Sequence, residues 1–238
     1  MLYLIGLGLN ENSLSLEGKE ALANCNKIYL ESYTVDFPYT LESLEKSLGK
    51  KIEKLGRDKV ESDKLVKEAK KQDVALLVYG CPLFATTHTT LLLDCKKEKI
   101  KTKIIYNASV FDAIAETGLQ LYKFGKITSM PKWQKSFTPD SFLDIVKENN
   151  SIKAHSLILT DIGLNLSEAL TQLEIATKNK DLKLDKIIIA SSLGTDKAKI
   201  FYDASEKLKS KKVSMPFCII LPAELHFLEK EYLEKISK

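Results

Sequence analysis

A chain of 238 residues with 44% hydrophobic content can bury one large core or two moderate ones, and two domains are the better expectation. No apolar run is long enough to span a bilayer, and the opening MLYLIGLGLN has neither a charged leader nor a small-residue cleavage site, so a soluble cytoplasmic protein is expected. The formal charge of +4 gathers in lysines at 96, 97, 99, 101 and 103 and at 207, 209, 211 and 212, without the interleaved aromatics or glycines of a nucleic-acid surface; no direct nucleic-acid binding and no membrane partner is expected, the minority alternative being that one patch docks an acidic or RNA-associated partner.

In chain order, strands and helices alternate. Leu2 to Ile5 reads as a strand, Ser15 as the cap of a helix to Asn24, Lys27 to Leu30 as a strand, and Thr40 to Leu48 as a helix stopped by Gly49. Ile52 to Leu55 is a short strand, and Ser62 to Gln72 a charged helix with Leu65, Val66 and Ala69 inward. Val74 to Tyr79 is apolar without alternation, as suits a parallel strand covered on both faces. It runs into Gly80-Cys81-Pro82 and a Thr/His-rich helix start, where Thr86 and Thr87 are capping types. Lys103 to Tyr106 is a strand and Ser109 to Glu116 a helix ended by Gly118. Strand, helix, strand in this rhythm predicts a mostly parallel sheet.

After Gly118 the texture changes, and a domain boundary is expected between Gly118 and Lys126, dividing an N-terminal α/β domain, 1–122, from a C-terminal α/β domain, 123–238. The second half opens with a polar loop from Pro131 to Pro139, then a helix from Asp140 to Lys147, a strand from Ser156 to Thr160 and a helix from Ser167 to Thr177. Strands at Lys186 to Ala190 and Phe217 to Leu221 follow, and the last helix carries Leu225, Leu228, Tyr232 and Ile236 on one face.

Four loops stand at the carboxyl ends of expected strands: Gly6 to Leu9, Gly80 to Leu83, Asn107 to Val110 and Thr160 to Gly163. Open α/β sheets bind ligands there. Gly6 and Gly8 do not complete a dinucleotide fingerprint, because Glu11 stands where its third glycine belongs, and no phosphate loop occurs anywhere. A ligand without phosphates fits better than NAD or ATP. No nucleophile elbow, no H-E-x-x-H and no carboxylate pair is present, so no catalytic acid, base or nucleophile is assigned and no metal is expected.

The four cysteines, Cys25, Cys81, Cys95 and Cys218, are too far apart for a C-x-x-C pair and read as reduced thiols. His88 fits either a ligand donor or base, or a capping and packing residue. For His155 and His226 structural roles are favoured, and Trp133 fits either a mobile contact for a partner or a local anchor.

Several segments together carry a resemblance: MLYLIGLGL, Tyr29-Leu30-Glu31-Ser32-Tyr33-Thr34, Pro82-Leu83-Phe84-Ala85-Thr86-Thr87-His88, the run from Glu116 to Lys126 with Tyr122-Lys123-Phe124-Gly125-Lys126, and Leu225-His226 with Glu231-Tyr232-Leu233. On these, end to end, the chain resembles the diphthine synthase family, within the tetrapyrrole-methylase-like class of S-adenosylmethionine-dependent methyltransferases. The resemblance implies a homodimer of two-domain α/β subunits, an N-terminal mostly parallel sheet with helices on both faces and a C-terminal mixed domain, with S-adenosyl-L-methionine in the cleft between domains. It implies elongation factor 2 as substrate, the amino group of a 3-amino-3-carboxypropyl histidine being methylated repeatedly, with S-adenosyl-L-homocysteine as product. Carried over by position, cofactor contacts fall on Leu9, Cys81, Phe84, Ser109, Val110, Thr160, Leu193 and Phe217. The alternatives are a tetrapyrrole or other small-molecule substrate on the same fold, or a non-catalytic cofactor-binding protein.

Cys81 departs from the pattern, since family members usually carry Asp after the glycine of the Gly-x-Pro turn. Losing a charge-assisted hydrogen bond worth about 1.5 to 3 kcal/mol weakens a cationic ligand by about one to two decades unless another acceptor, Asp112 or Asp161, substitutes.

Overall fold

The computed structural model describes residues 1–237. Two compact units divide the chain, Met1–Asp112 and the remainder from Ala113 onward.

In the first unit β1 (Leu2–Gly6) leads through α1 (Leu16–Asn24) to β2 (Lys27–Glu31), and α2 (Leu41–Leu48) leads to β3 (Glu53–Leu55). The short α3 (Arg57–Val60) and α4 (Lys64–Ala69) precede β4 (Val74–Val78), and α5 (Thr89–Lys97) precedes β5 (Thr102–Ile105). The strands pair in the order β3-β2-β4-β1-β5, every pair parallel. All of β4 is buried because both faces are covered. Val74, Leu76 and Val78 pack with Leu65 and Val66 of α4 and Leu91 and Cys95 of α5; Ala75 and Leu77 pack with Ala21 and Leu22 of α1 and Leu44 of α2. The helix after β1 and the helix after β4 therefore lie on opposite faces. Their loops diverge, which opens a crevice at the carboxyl ends of these adjacent strands.

Local chemistry sets the helix ends. The Ser15 hydroxyl accepts from the Gly18 amide, the Thr40 hydroxyl from the Ser43 amide, and Gly49 closes α2 in the left-handed region at φ 62°. Thr86 and Thr87, by contrast, do not cap α5. Thr86 Oγ1 donates to the Pro82 carbonyl at 3.0 Å and Thr87 Oγ1 to Glu61 at 3.1 Å, and the helix begins only after His88. The helix expected over Ser109 to Glu116 is also broken, into α6 (Val110–Ala113) and a 3₁₀ turn at Ile114–Thr117, where Thr117 Oγ1 donates to the Ile114 carbonyl at 2.6 Å.

The second unit contains β6 (Thr128–Met130), α7 (Phe142–Ser151), β7 (Ser156–Thr160), α8 (Leu166–Asn179), β8 (Lys186–Ser191), β9 (Lys199–Ala204), α9 (Ser205–Leu208), β10 (Phe217–Leu221) and α10 (Phe227–Ile236). Its sheet runs β6-β7-β10-β8-β9, with β6 parallel to β7 and the other pairs antiparallel. Leu143 and Val146 of α7 and Ala169, Leu170 and Leu173 of α8 cover Ile158, Ile187, Ile189 and Ile219 of this sheet. The fold is thus α/β with a parallel sheet followed by a mixed one.

The last helix corrects the sequence expectation. α10 buries Glu229 and Leu233, while Phe227, Leu228 and Tyr232 are exposed. Four donors explain why a carboxylate outranks leucine: Glu229 accepts from the amides of Gln120 (2.9 Å) and His226 (2.7 Å), from Lys123 Nζ (2.7 Å) and from His155 Nε2 (3.3 Å). Among the described residues no helix is long and apolar enough to cross a membrane.

Candidate functional site

Three neutral loops meet at the carboxyl end of the first sheet. Gly8 and Gly80 exchange backbone hydrogen bonds at 3.3 and 3.0 Å just beyond β1 and β4, each in the left-handed region (φ 71° and 67°). A Cβ on Gly6 would lie 2.6 Å from the Gly80 carbonyl oxygen, so these two backbones approach only because glycine is there. The third loop is tied in by Asn107, whose Nδ2 donates to the carbonyls of Gly6 (3.1 Å) and Ser13 (2.9 Å). Asp112 Oδ2 accepts from both the amide (2.7 Å) and the hydroxyl (3.0 Å) of Ser109. Phe84 and Phe111 meet edge to face at 5.2 Å. This end of the sheet therefore gathers Leu9, Cys81, Phe84, Ser109 and Val110. Cys81 and Leu9 are buried, whereas Phe84 is 47% exposed and presents a ring to solvent.

His88 braces the turn from behind. Its Nδ1 lies 2.9 Å from the Pro82 carbonyl, which only accepts, so Nδ1 is the donor of this bond. Beside the turn, Phe37 stands 5.4 Å from both Tyr39 and Tyr79, and the Tyr79 hydroxyl donates to the Leu9 carbonyl at 3.2 Å. Burial raises the pKa of Tyr39 and Tyr79 far above the ordinary phenol value, so both are neutral. Among the described residues, the buried side-chain polar atoms without a partner are Tyr33 Oη, Tyr39 Oη and His88 Nε2. All three belong to the loops after β2 and β4.

The second unit brings Thr160, Leu193 and Phe217 together. Because β10 runs antiparallel to β7 and β8, its first residue meets their last: Thr160 Oγ1 donates to the Phe217 carbonyl at 2.6 Å, and Phe217 pairs with Ser191. Ser192, in the left-handed region at φ 49°, donates its amide to the Pro216 carbonyl at 2.8 Å, which sets the buried Leu193 next to that corner. Asp161, a candidate substitute for the missing carboxylate, is committed to its own turn, accepting from the amides of Ile162 and Lys132, each at 2.9 Å. Asp112 uses only Oδ2 in its local cap.

Other sequence candidates have structural roles. Trp133 donates its indole N–H to the Pro139 carbonyl at 3.0 Å and packs on the second core, so it is a local anchor. His226 caps α10, its Nδ1 accepting from the Leu228 amide at 3.3 Å. The Tyr122-Lys123-Phe124-Gly125-Lys126 segment is a structural knot: Lys123 pairs with Glu229, Phe124 meets the His155 ring at 5.4 Å, and Asn149 clamps Lys126 by its amide (2.9 Å) and its carbonyl (2.8 Å). Sequence reasoning missed the buried Glu229 center and the cluster formed by Tyr33, Arg57 and Glu61. Their one legible signal was charge inside otherwise apolar or motif-bearing segments. Among the described residues no group of three or more His, Cys, Asp or Glu could hold a metal ion.

Comparison with known proteins adds a family frame. Residues 1–208 match the family model described as Tetrapyrrole (Corrin/Porphyrin) Methylases. A diphthine synthase of Methanothermobacter thermautotrophicus is 35% identical over 100% of this chain and 96% of its own length. A diphthine methyl ester synthase of Candida glabrata is 37% identical over 98% of this chain and 89% of its own. A crystal structure of diphthine synthase superposes with a TM-score of 0.90 at 30% identity, covering 99% of this chain and 95% of that one.

Proposed function

The chain belongs to the diphthine synthase family of tetrapyrrole methylases, and from that premise we propose that it is an S-adenosylmethionine-dependent N-methyltransferase acting on the 2-(3-amino-3-carboxypropyl)histidine of elongation factor 2 to give diphthine. The observation that carries the reading is the convergence of three uncharged loops at the carboxyl end of the first sheet, with glycines at their crossing and Phe84 exposed beside them. A cationic, phosphate-free cofactor suits such a place, since the segments Gly6 to Leu9, Gly80 to Leu83 and Asn107 to Val110 hold no lysine to repel it. Leu9, Cys81, Phe84, Ser109 and Val110 of the first unit and Thr160, Leu193 and Phe217 of the second are the proposed cofactor contacts. Asp112 Oδ1, outside the Ser109 cap, is the available carboxylate oxygen.

S-adenosylmethionine, when bound, supplies an electrophilic methyl group on sulfur. The chain's residues have to hold the acceptor amine in line and keep water out. An α-amino group with a pKa near 8 or somewhat above is made neutral at pH 7 for about 1 to 3 kcal/mol, at about 1.4 kcal/mol per unit. Orientation of two reactants is worth about 7 to 11 kcal/mol, so positioning outweighs base catalysis and no dedicated base is required. The neutral rings of Phe37, Tyr39 and Tyr79 and the nearby carbonyls are suited to a product that becomes bulkier and permanently cationic.

We place the enzyme in the cytoplasm as a homodimer; the exposed Phe227, Leu228 and Tyr232 are apolar area that a second copy would cover. Mass spectrometry of elongation factor 2 carrying the aminocarboxypropyl histidine, incubated with the protein and S-adenosylmethionine, tests the assignment. Three methyl increments and a stop are expected, a fourth would add a methyl ester, and none would refute the reading.

A further inference from the structure

Two segments, Glu31-Ser32-Tyr33-Thr34 and Ala85-Thr86-Thr87-His88, are left unused by the cofactor contacts proposed above, and the structure joins them at one place. Glu31 is wholly buried at the end of β2; its Oε1 accepts from the Tyr33 amide at 2.8 Å and its Oε2 from the Thr34 hydroxyl at 2.7 Å. Ser32 donates both its amide (3.2 Å) and its hydroxyl (3.1 Å) to the Leu55 carbonyl, tying the exit of β2 to the end of β3. Two residues beyond Leu55 stands Arg57. The turn after β2 thus acts as a jig that sets the Tyr33 ring beneath the Arg57 guanidinium, 5.1 Å from carbon to ring centroid.

Arg57 is the one arginine in a chain with 36 basic residues. Lysine serves wherever a solvated positive charge suffices; a planar fork that stacks on an aromatic ring and offers paired donors requires arginine. The donors of that fork are uncommitted. The nearest carboxylate, Glu61 Oε1, is 3.9 Å from Arg57 and already accepts from Thr87 Oγ1 at 3.1 Å, and among the described residues the guanidinium makes no hydrogen bond. It is 64% exposed, so a ligand reaches it. Tyr33 and His88, on either side of this chain of contacts, carry two of the three buried polar atoms without a partner, which marks the region as one shaped for more than folding.

We propose that Arg57, held over the Tyr33 ring, binds the α-carboxylate of the aminocarboxypropyl group on the substrate histidine. The inference rests on the methyltransferase reading above. A carboxylate is the one anionic group that this substrate side chain carries, and it sits on the carbon that bears the reacting amine. A bidentate grip on it fixes the amine's position as well as its identity.

The test compares full-length protein with R57K and R57M. Three readouts are needed: affinity for S-adenosylhomocysteine, kcat and KM for methylation of the modified factor, and equilibrium binding of elongation factor 2 with and without the aminocarboxypropyl group. Cofactor affinity and thermal midpoint are expected to be unchanged in both variants. R57M is expected to raise KM by about tenfold to a hundredfold and to erase a similar part of the preference for modified over unmodified factor, with R57K between it and the natural protein. If R57M weakens both forms of the factor equally, Arg57 touches the factor elsewhere and the inference falls. If R57M matches the natural protein in KM, it falls as well, while the enzyme assignment stands. If the natural protein transfers no methyl group, both fall together.

Discussion

Lys123 Nζ stands 2.7 Å from Glu229 Oε2, a carboxylate that is 1% exposed. The pair ties the 3₁₀ turn at Leu121–Lys123 to the start of α10, and the amides of Gln120 and His226 and the Nε2 of His155 complete the carboxylate's shell. Breaking a buried pair from one side leaves the other charge uncompensated, which costs about 3 to 5 kcal/mol. Glu229→Ala is therefore expected to lose that much in urea unfolding, although Glu229 is not among the proposed cofactor or substrate contacts. Exposed Lys235→Ala, which removes a surface pair with Glu231, serves as the near-neutral control.

The same center sets an acid limit. His155 Nδ1 accepts from the Ala223 amide at 3.0 Å, so its proton is on Nε2 facing Glu229 and the ring is neutral. Burial lowers its pKa, against the opposing pull of Glu229. The unfolded chain then binds a proton that the native ring refuses, so this contribution is complete above about pH 6.5 and is lost as pH falls toward the depressed native value. Burial alone would raise the Glu229 pKa, but its hydrogen bonds to Gln120, Lys123, His226 and His155 outweigh it and hold the pKa at about 2. That contribution is complete above about pH 4.3 and declines toward pH 2. Urea midpoints should fall in two steps between pH 7 and 2, and His155→Gln should flatten the upper step.

Strands with strong local signals were legible from the amino acids: Phe217 to Leu221 and Ser156 to Thr160 have the expected bounds because both are unbroken apolar runs closed by polar or turn residues. β6 and β9 were not, since a three-residue Thr-Ser-Met strand and a Lys-Ile-Phe-Tyr-Asp-Ala strand owe their shape to their neighbors in the sheet rather than to their own pattern. The face of α10 misled for a related reason: hydrophobic periodicity has no way to register a carboxylate three of whose four donors, Gln120, Lys123 and His155, come from residues far away in the chain. At the site, the glycine-bearing turns were readable as turns. What Asn107 ties together, and where Arg57 rests, depends on contacts between separate loops.

Gly125 tests the clamp made by Asn149. A Cβ at that position would lie 2.2 Å from Asn149 Oδ1, the atom that accepts the Lys126 amide, and Asn149 is itself buried with Nδ2 on the Ser156 hydroxyl at 3.0 Å. Gly125→Ala must push that side chain aside, so overpacking and a lost buried hydrogen bond combine to cost about 2 to 4 kcal/mol. Hydrogen exchange should locate the damage at the α7 C-terminus and the start of β7. Native protection there in the variant would show that the clamp yields without loss.

Cys81→Asp probes the wall of the proposed cofactor site. Cys81 is 4% exposed, so a carboxylate placed there is largely desolvated until a cationic group meets it. Without ligand the variant should melt below the natural protein. With S-adenosylmethionine it should recover, because a charge-assisted hydrogen bond at that position is worth about 1.5 to 3 kcal/mol and tightens binding by about one to two decades. Calorimetric titration of both proteins, each also carrying Asp112→Asn, separates the two acceptors. If Asp112 already fills the role, Cys81→Asp alone gains little and rescues the Asp112→Asn loss; if neither carboxylate matters, all four proteins bind alike and the ligand is held by backbone and rings.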